Sequence, residues 1–322
     1  MSRISRRAAL SVLPLALVPT LLHAQDFPSR TIKIVVGFGP GSALETSTRA
    51  LADLASKELG QQVVVENKPG AATMIAANQV AQALKDGYTL LLLNIQQYNN
   101  PLLVKNVSYK AGDFAPIIAG GLVSLAMATT KSLPVKNARE FIAYAKVNPG
   151  KLNYAHLGPG GSPQLLATRL EQLNGLQLQG VAYKDQAQST TDLASGLIHF
   201  MFTSVNHARA MQQAGHANII AVSSPKRLSV LPEVATLSES GIEGMPAPWW
   251  GYAAPAGTPP AVIAKLERAF RAAMAMPRYQ EILASTGSSP LDFESPAKFA
   301  QYIERETERW AAAIRPLNLP LE

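Results

Sequence analysis

The sequence predicts an α/β protein made of two similar lobes with a cleft between them. Two observations carry that reading. Short apolar, β-branched runs alternate along the chain with longer stretches of helical spacing, which is the pattern of parallel sheets covered by helices on both faces. A strand, glycine loop and helix start also occur twice, as Ile32–Val36 with Gly39-Pro40-Gly41-Ser42 and as Leu152–His156 with Gly158-Pro159-Gly160-Gly161-Ser162. Each loop falls at the C-terminal end of a strand, where ligands of open α/β sheets collect. With 322 residues, 47% of them hydrophobic, the chain has enough apolar surface for one large domain or two compact ones.

The elements follow in order. Residues 1–24 read as a secretory signal peptide: basic Arg3, Arg6 and Arg7, an apolar stretch from Ala8 to Leu22, and small Ala24 at the cut. The Ser5-Arg6-Arg7 triplet resembles a twin-arginine signal in weak form. Cleavage removes three arginines and no acids, taking the net charge from +7 to +4. Strands are expected at Ile32–Val36, Gln62–Glu66, Tyr88–Asn94, Leu152–His156, Leu178–Tyr183, Ile198–Ser204 and Asn218–Ser223. Helical spacing falls on Leu44–Leu59, Thr73–Leu84, Ala138–Val147, Pro163–Leu173, Gln186–Ser195 and Val205–Ala214. From about Pro259 to Arg315 the chain reads as helices, with Pro277 separating two and Ser295-Pro296 starting the last. Junctions near Thr129–Lys136 and Pro246–Gly251 give lobe 1 residues 25–130 plus 250–322, and lobe 2 residues 131–249.

Composition excludes several chemistries. There is no cysteine, hence no disulfide, thiolate nucleophile, cysteine-held metal or lipidated cysteine anchor. A soluble exported chain points to the periplasm. The basic excess is diffuse, without a stripe of interleaved aromatics, so nucleic acid is not an expected partner. The five histidines form no H-x-x-x-H pair, and no metal site is expected. The first loop lacks the lysine of a P-loop and the glycine spacing of a dinucleotide fingerprint. It is either a tight turn capped by Ser42 or an anion cradle of backbone N–H groups, and the second copy favours the cradle. Ser162 lies near His156 in sequence, but the G-x-S-x-G elbow of a serine nucleophile is absent. Trp249-Trp250-Gly251-Tyr252 either lines a pocket or packs at the lobe junction. Tyr183-Lys184 ends a strand and faces either the cleft or solvent. No cofactor fingerprint and no nucleophile–base pair emerges, so capture fits the residues better than catalysis.

Strings along the chain add a family. "FPSRTIKIVVGFGPG", "LGQQVVVENKPGA", "DGYTLLL", "NPGKLNYAHLGPGGS", "YKDQAQSTTDLASG", "LPEVATLSESG" and "APAGTP" follow one another through nearly the whole mature chain. In their order and spacing the chain resembles the Bug (TctC-like) extracytoplasmic solute-binding proteins of tripartite tricarboxylate transport systems. The resemblance implies a type II periplasmic-binding-protein fold, two Rossmann-like lobes that close on a small organic, amino or aromatic acid. It also implies a monomer without cofactor that delivers its ligand to a two-component membrane permease. A protein signalling to a membrane sensor kinase, or an exported enzyme acting through Ser42 or Ser162, are the competing readings. Carried over position by position, the resemblance makes Phe38, Gly39, Pro40, Gly41, Ser42 and Ala43 one wall of the site. His156, Gly158, Gly160, Gly161 and Ser162 make the second, and Tyr183, Asp185, Thr203 and Ser204 complete it. The chain departs from the family pattern at Ser42-Ala43, where glycines are usual, and at Glu45, where aspartate is. It departs again at Gln164 and at Asp185, whose carboxylate would repel an acidic ligand or pair with an amine.

Overall fold

A computed structural model describes residues 27–156, 160–183 and 185–317. The expected signal peptide, Gly158 and Lys184 therefore lie outside the described residues. The chain opens with β1 (Ile32–Val36), α1 (Ala43–Leu59), β2 (Val63–Asn67), α2 (Met74–Ala81), β3 (Thr89–Asn94), α3 (Ile95–Leu103) and β4 (Phe114–Val123). It continues through β5 (Leu125–Thr130), α4 (Ala138–Lys146), β6 (Leu152–His156), α5 (Ser162–Asn174), β7 (Leu178–Ala182), α6 (Gln186–Ser195), β8 (Phe200–Ser204), α7 (Val205–Gln213) and β9 (Ala217–Val222). It closes with β10 (Trp249–Pro255), α8 (Pro260–Ala275), α9 (Pro277–Ser285), β11 (Ser288–Ser289) and α10 (Pro296–Ile314).

These strands form two mixed sheets. One has the order β11-β4-β10-β3-β1-β2 and the other β7-β6-β8-β5-β9. β1 pairs in parallel with β2 and β3, and β6 with β7 and β8. Each sheet also holds a long antiparallel strand beside its third parallel strand: β10 lies between β3 and β4, and β5 between β8 and β9. Those two strands follow the places where the chain changes sheets. The first change is a single residue, Ser124, between β4 and β5, and the second is the segment between β9 and β10. Strand β5 thus pairs within the second sheet, earlier than the division expected after residue 130.

The repeated strands and helices fall close to their expected places, whereas β4, β5, β10 and α3 do not follow from the sequence pattern. Pro116, Gly120, Gly121 and Gly251 look like turn residues inside those runs. Their reason is steric. A Cβ on Gly120 would sit 2.2 Å from the Trp250 ring, and one on Gly251 2.6 Å from both the Ile118 carbonyl and the Phe299 ring. Glycine is what lets the large aromatics lie flat on the sheet. Trp249, Trp250 and Tyr252 are accordingly buried in the core, Trp250 stacking edge-on with Tyr252 at 5.7 Å. The aromatic cluster packs at the sheet change.

Candidate functional site

Two neighbouring cavities open at the C-terminal ends of the strands. The larger, about 240 Å³, is bounded by the first turns of three helices: Ser42-Ala43-Leu44 of α1, Asn94-Ile95-Gln96 of α3, and Gly160 with Ser162 of α5. Phe38, Asn99, Val123, Leu125, Pro248 and Trp249 complete its wall, so both changes of sheet contribute. The smaller, about 150 Å³, is lined by His156 and Pro163, by Gln186 and Ser189 of α6, and by Thr203 and Ser204 at the end of β8. The two share Leu125 and flank the start of α5. Five helix N-termini, those of α1, α3, α5, α6 and α7, thus face one pair of cavities. Their first amides have no carbonyl of their own helix to bond, and the dipoles point their positive ends inward. Among the described residues, no Lys, Arg, Asp or Glu lines either cavity.

The first loop is fixed from three sides. Asn67 donates to the Phe38 carbonyl at 2.9 Å. Ser42 caps α1, its Oγ accepting from the Glu45 N–H at 3.3 Å. The carboxylate of Glu45 accepts from the Gly41 N–H at 3.1 Å and pairs with Arg49. Behind this loop the segment Ala71–Thr73 holds three successive positive φ angles, 45°, 49° and 69°. Gln97 of α3 donates to Thr73 Oγ1 at 2.8 Å and its Oε1 accepts from the Asn94 N–H at 2.7 Å. Asn94 Oδ1 in turn accepts from Gln96 N–H at 2.8 Å. The start of α3 is therefore braced on one strained turn, which costs roughly 1–2 kcal/mol per left-handed residue.

The sequence-expected residues divide. Phe38, Ser42, Ala43, Gly160 and Ser162 line the larger cavity, and His156, Thr203 and Ser204 the smaller. Ser162 and His156 are thus lining residues of different cavities. Gly39, Pro40, Gly41 and Gly161 shape the loops without lining either one. Tyr183 and Asp185 are also outside both walls. Tyr183 donates its hydroxyl to Asp192 at 2.8 Å, and burial together with that carboxylate pushes it up to about 12. Asp185 is the N-cap of α6, accepting from the Gln188 N–H at 2.9 Å. One oxygen of its carboxylate thus caps the helix, a role Asp fills at helix starts generally. Gln186 beside it donates to Thr203 Oγ1 at 3.0 Å.

The sequence reading missed Asn94, Gln96 and Asn99, along with Gln186 and the hinge-flanking Val123 and Leu125, and left Trp249 open between a pocket wall and junction packing. The available signal was "NIQQYNN": a run of side-chain amides directly after the apolar strand Leu90–Leu93, at the strand end where loops 1 and 2 also sit. A further cavity of about 210 Å³ lies under α8 and α9, where Arg271 is already bound to Glu267 and Asp292.

Comparison with known proteins settles the family. The family model described as "Tripartite tricarboxylate transporter family receptor" matches residues 47–319. The chain belongs to this receptor family. A UPF0065 protein of the gbd 5' region of Cupriavidus necator is 34% identical over 97% of this chain and 95% of its own. Among solved structures, an R. palustris protein with adipate is 29% identical, with a TM-score of 0.75 over 90% of this chain and 98% of that one. MatC from Rhodopseudomonas palustris, solved with bound malate, is 27% identical with a TM-score of 0.71, covering 89% and 100% of the two chains. As a receptor of this family, the chain is a solute-binding protein of a transport system, and its mixed α/β architecture with two sheets is that of its structural neighbours. No helix among the described residues is long and apolar enough to cross a membrane.

Proposed function

We propose that this receptor captures a small carboxylate in the paired cavities, in the periplasm, and passes it to a separate membrane permease without chemically changing it. One observation carries the reading: five helix N-termini meet at two adjoining cavities whose described walls hold no charged side chain. Such a site offers an anion N–H donors and dipoles rather than counter-charges, and charge-assisted hydrogen bonds are the stronger kind. The adipate and malate of two structural neighbours are anions of this chemistry. His156, Thr203, Ser204, Ser162, Gly160, Ser42 and Ala43 are the residues assigned to contact it. Closure works as a hinge about the two changes of sheet, with ligand contacts from both halves favouring the closed form. The test is a melting-temperature screen of the mature chain against mono- and dicarboxylates, amino acids, aromatic acids and, as a control, neutral sugars. A carboxylate should raise the melting temperature in proportion to its saturation, by mass action. A shift with a sugar and with none of the acids would overturn the proposal.

A further inference from the structure

The two loops are held by one device used twice. Gly41 and Gly160 both take left-handed φ, 82° and 72°, one residue before the N-cap of α1 and α5. Each turns its N–H back onto the third residue of the helix that follows: Glu45 Oε2 accepts from Gly41 at 3.1 Å, and Gln164 Oε1 from Gly160 at 2.7 Å. Both acceptors are buried, Glu45 to 3% and Gln164 to 9% exposure. The two acceptors differ in charge, because Glu45 is a carboxylate and Gln164 an amide. Arg49 balances that charge from the outside, where its side chain is 52% exposed and screened by water. The positive end of α1 is thus offset by a buried carboxylate in its first turn, and that of α6 by its cap Asp185, while the start of α5 carries no carboxylate. Both walls mix apolar and polar groups: Phe38, Leu44, Ile95, Val123 and Trp249 give the larger cavity one broad apolar side, and His156, Gln186, Thr203 and Ser204 stand beside Ala155, Met201 and Phe202 in the smaller.

Resting on the carboxylate reading above, we infer that the preferred ligand is a monocarboxylate with an apolar body, and that Glu45 is the residue that disfavours a second acid group. The carboxylate lies at the start of α5, toward the smaller cavity, and the apolar body fills the larger one between α1, α3 and Trp249. A second carboxylate would have to sit at the start of α1, close to Glu45, where like charges repel across a partly buried wall. Replacing Glu45 by Gln keeps the Gly41 bond, since Gln164 already shows that an amide oxygen serves, and removes the repulsion.

The experiment is calorimetric titration of the mature chain and its Glu45→Gln variant with hexanoate and adipate, which share chain length and differ by one carboxylate. Wild type should bind hexanoate more tightly than adipate. Glu45→Gln should move the adipate-to-hexanoate affinity ratio toward adipate by about three- to tenfold, the size of one partly screened charge interaction. The reciprocal Gln164→Glu should weaken both acids. A wild-type preference for adipate, or an unchanged ratio in Glu45→Gln, would overturn the inference while leaving carboxylate capture standing. If wild type bound neither acid but did bind a sugar, both would fall together.

Discussion

Gly160→Ala separates the cost of the loop from the cost of closure. Gly160 belongs to the second half of the chain, yet a Cβ built on it would lie 2.4 Å from Leu103 Cδ1 and 3.0 Å from Cδ2, on α3 of the first half. Its φ of 72° adds a second penalty. The left-handed strain of roughly 1–2 kcal/mol belongs to the loop itself, so it acts whether the halves are together or apart. It should lower the melting temperature of the ligand-free chain and cancel from the binding equilibrium. The clash exists only when Gly160 rests on Leu103. Overpacking of this kind costs about 1–3 kcal/mol, less where the neighbour is the free end of a side chain, as here. That range weakens ligand affinity by about fivefold to 150-fold.

The assay is calorimetric binding of the best acid from the screen to wild type, Gly160→Ala, Leu103→Ala and the double variant, with ligand-free melts alongside. Leu103→Ala removes the clashing atoms, so the double variant should bind more tightly than Gly160→Ala alone while keeping its lower melting temperature. The coupling energy of the cycle then reports the contact across the halves. Wild-type affinity in Gly160→Ala would refute the reasoning, as would a double variant no better than the single one. Either result would mean that ligand binding does not require loop 2 to seat against α3.

Two further variants test parts of the framework. Ala72→Gly should raise the melting temperature by about 1–4 °C, because glycine takes the left-handed angle without the strain of roughly 1 kcal/mol that alanine carries there; a lower melting temperature would show that the Ala71–Thr73 turn is not strained. Glu306, buried on α10 and paired with Arg309, has its carboxyl raised above the usual carboxylate range by burial, against the pull of Arg309 and Arg305. A carboxyl raised in the fold holds its proton more tightly there than in the unfolded chain, so stability is lost as pH rises from the ordinary carboxylate range through the raised value. Glu306→Gln removes that loss: its melting-temperature advantage over wild type should grow from about pH 4 to about pH 8, and a gap independent of pH would refute the assignment.

What the sequence made legible is what depends on local pattern. β1 reads as a strand from Ile32–Val36, and the glycine loop after it reads as a turn at a helix start, because both follow from neighbours in the chain. β4 and β10 were hidden by residues whose reason is a partner far away in sequence. Gly120 and Gly121 look like breakers until Trp250 is placed over them. α3 was hidden by its own chemistry, since Asn99, Asn100 and Pro101 are poor helix formers. Its Asn94–Gln97 capping and the bonds from Asn100 to Ala72 and Tyr109 hold it in place. Asp185 shows the converse limit: a carboxylate next to a cleft motif reads as a ligand group, and only the α6 backbone shows that it also serves as a cap. Glu45 and Gln164 were legible as departures from a pattern, but their shared bond to a glycine amide needed the fold.

The two changes of sheet constrain how the halves can move. One is the segment 223–248, pinned to the second half by buried Leu231, Leu237 and Ile242 and to the first by the Val123 N–H bond to the Pro248 carbonyl; the other is Ser124 alone, with β4 on one side and β5 on the other. Ser124 also donates its N–H to the Gly287 carbonyl at 3.3 Å, which ties it to the first half. A rotation of one half against the other has to turn close to this residue. Val123 and Leu125, its two neighbours, both line the larger cavity, so a ligand there touches both sides of the pivot. The contacts between the halves are both apolar and polar. Leu165 of α5 is buried among Trp249, Phe299 and Ile303 of the first half. Gly160 rests on Leu103, and Asn206 donates to the Ser285 carbonyl at 3.0 Å. Leu165 follows Gln164, so the residue that seals the halves sits beside the one that locks loop 2. On the hinge proposed above, opening the halves would expose Leu165 to water while the Gly160–Gln164 bond, internal to loop 2 and α5, would stay in place.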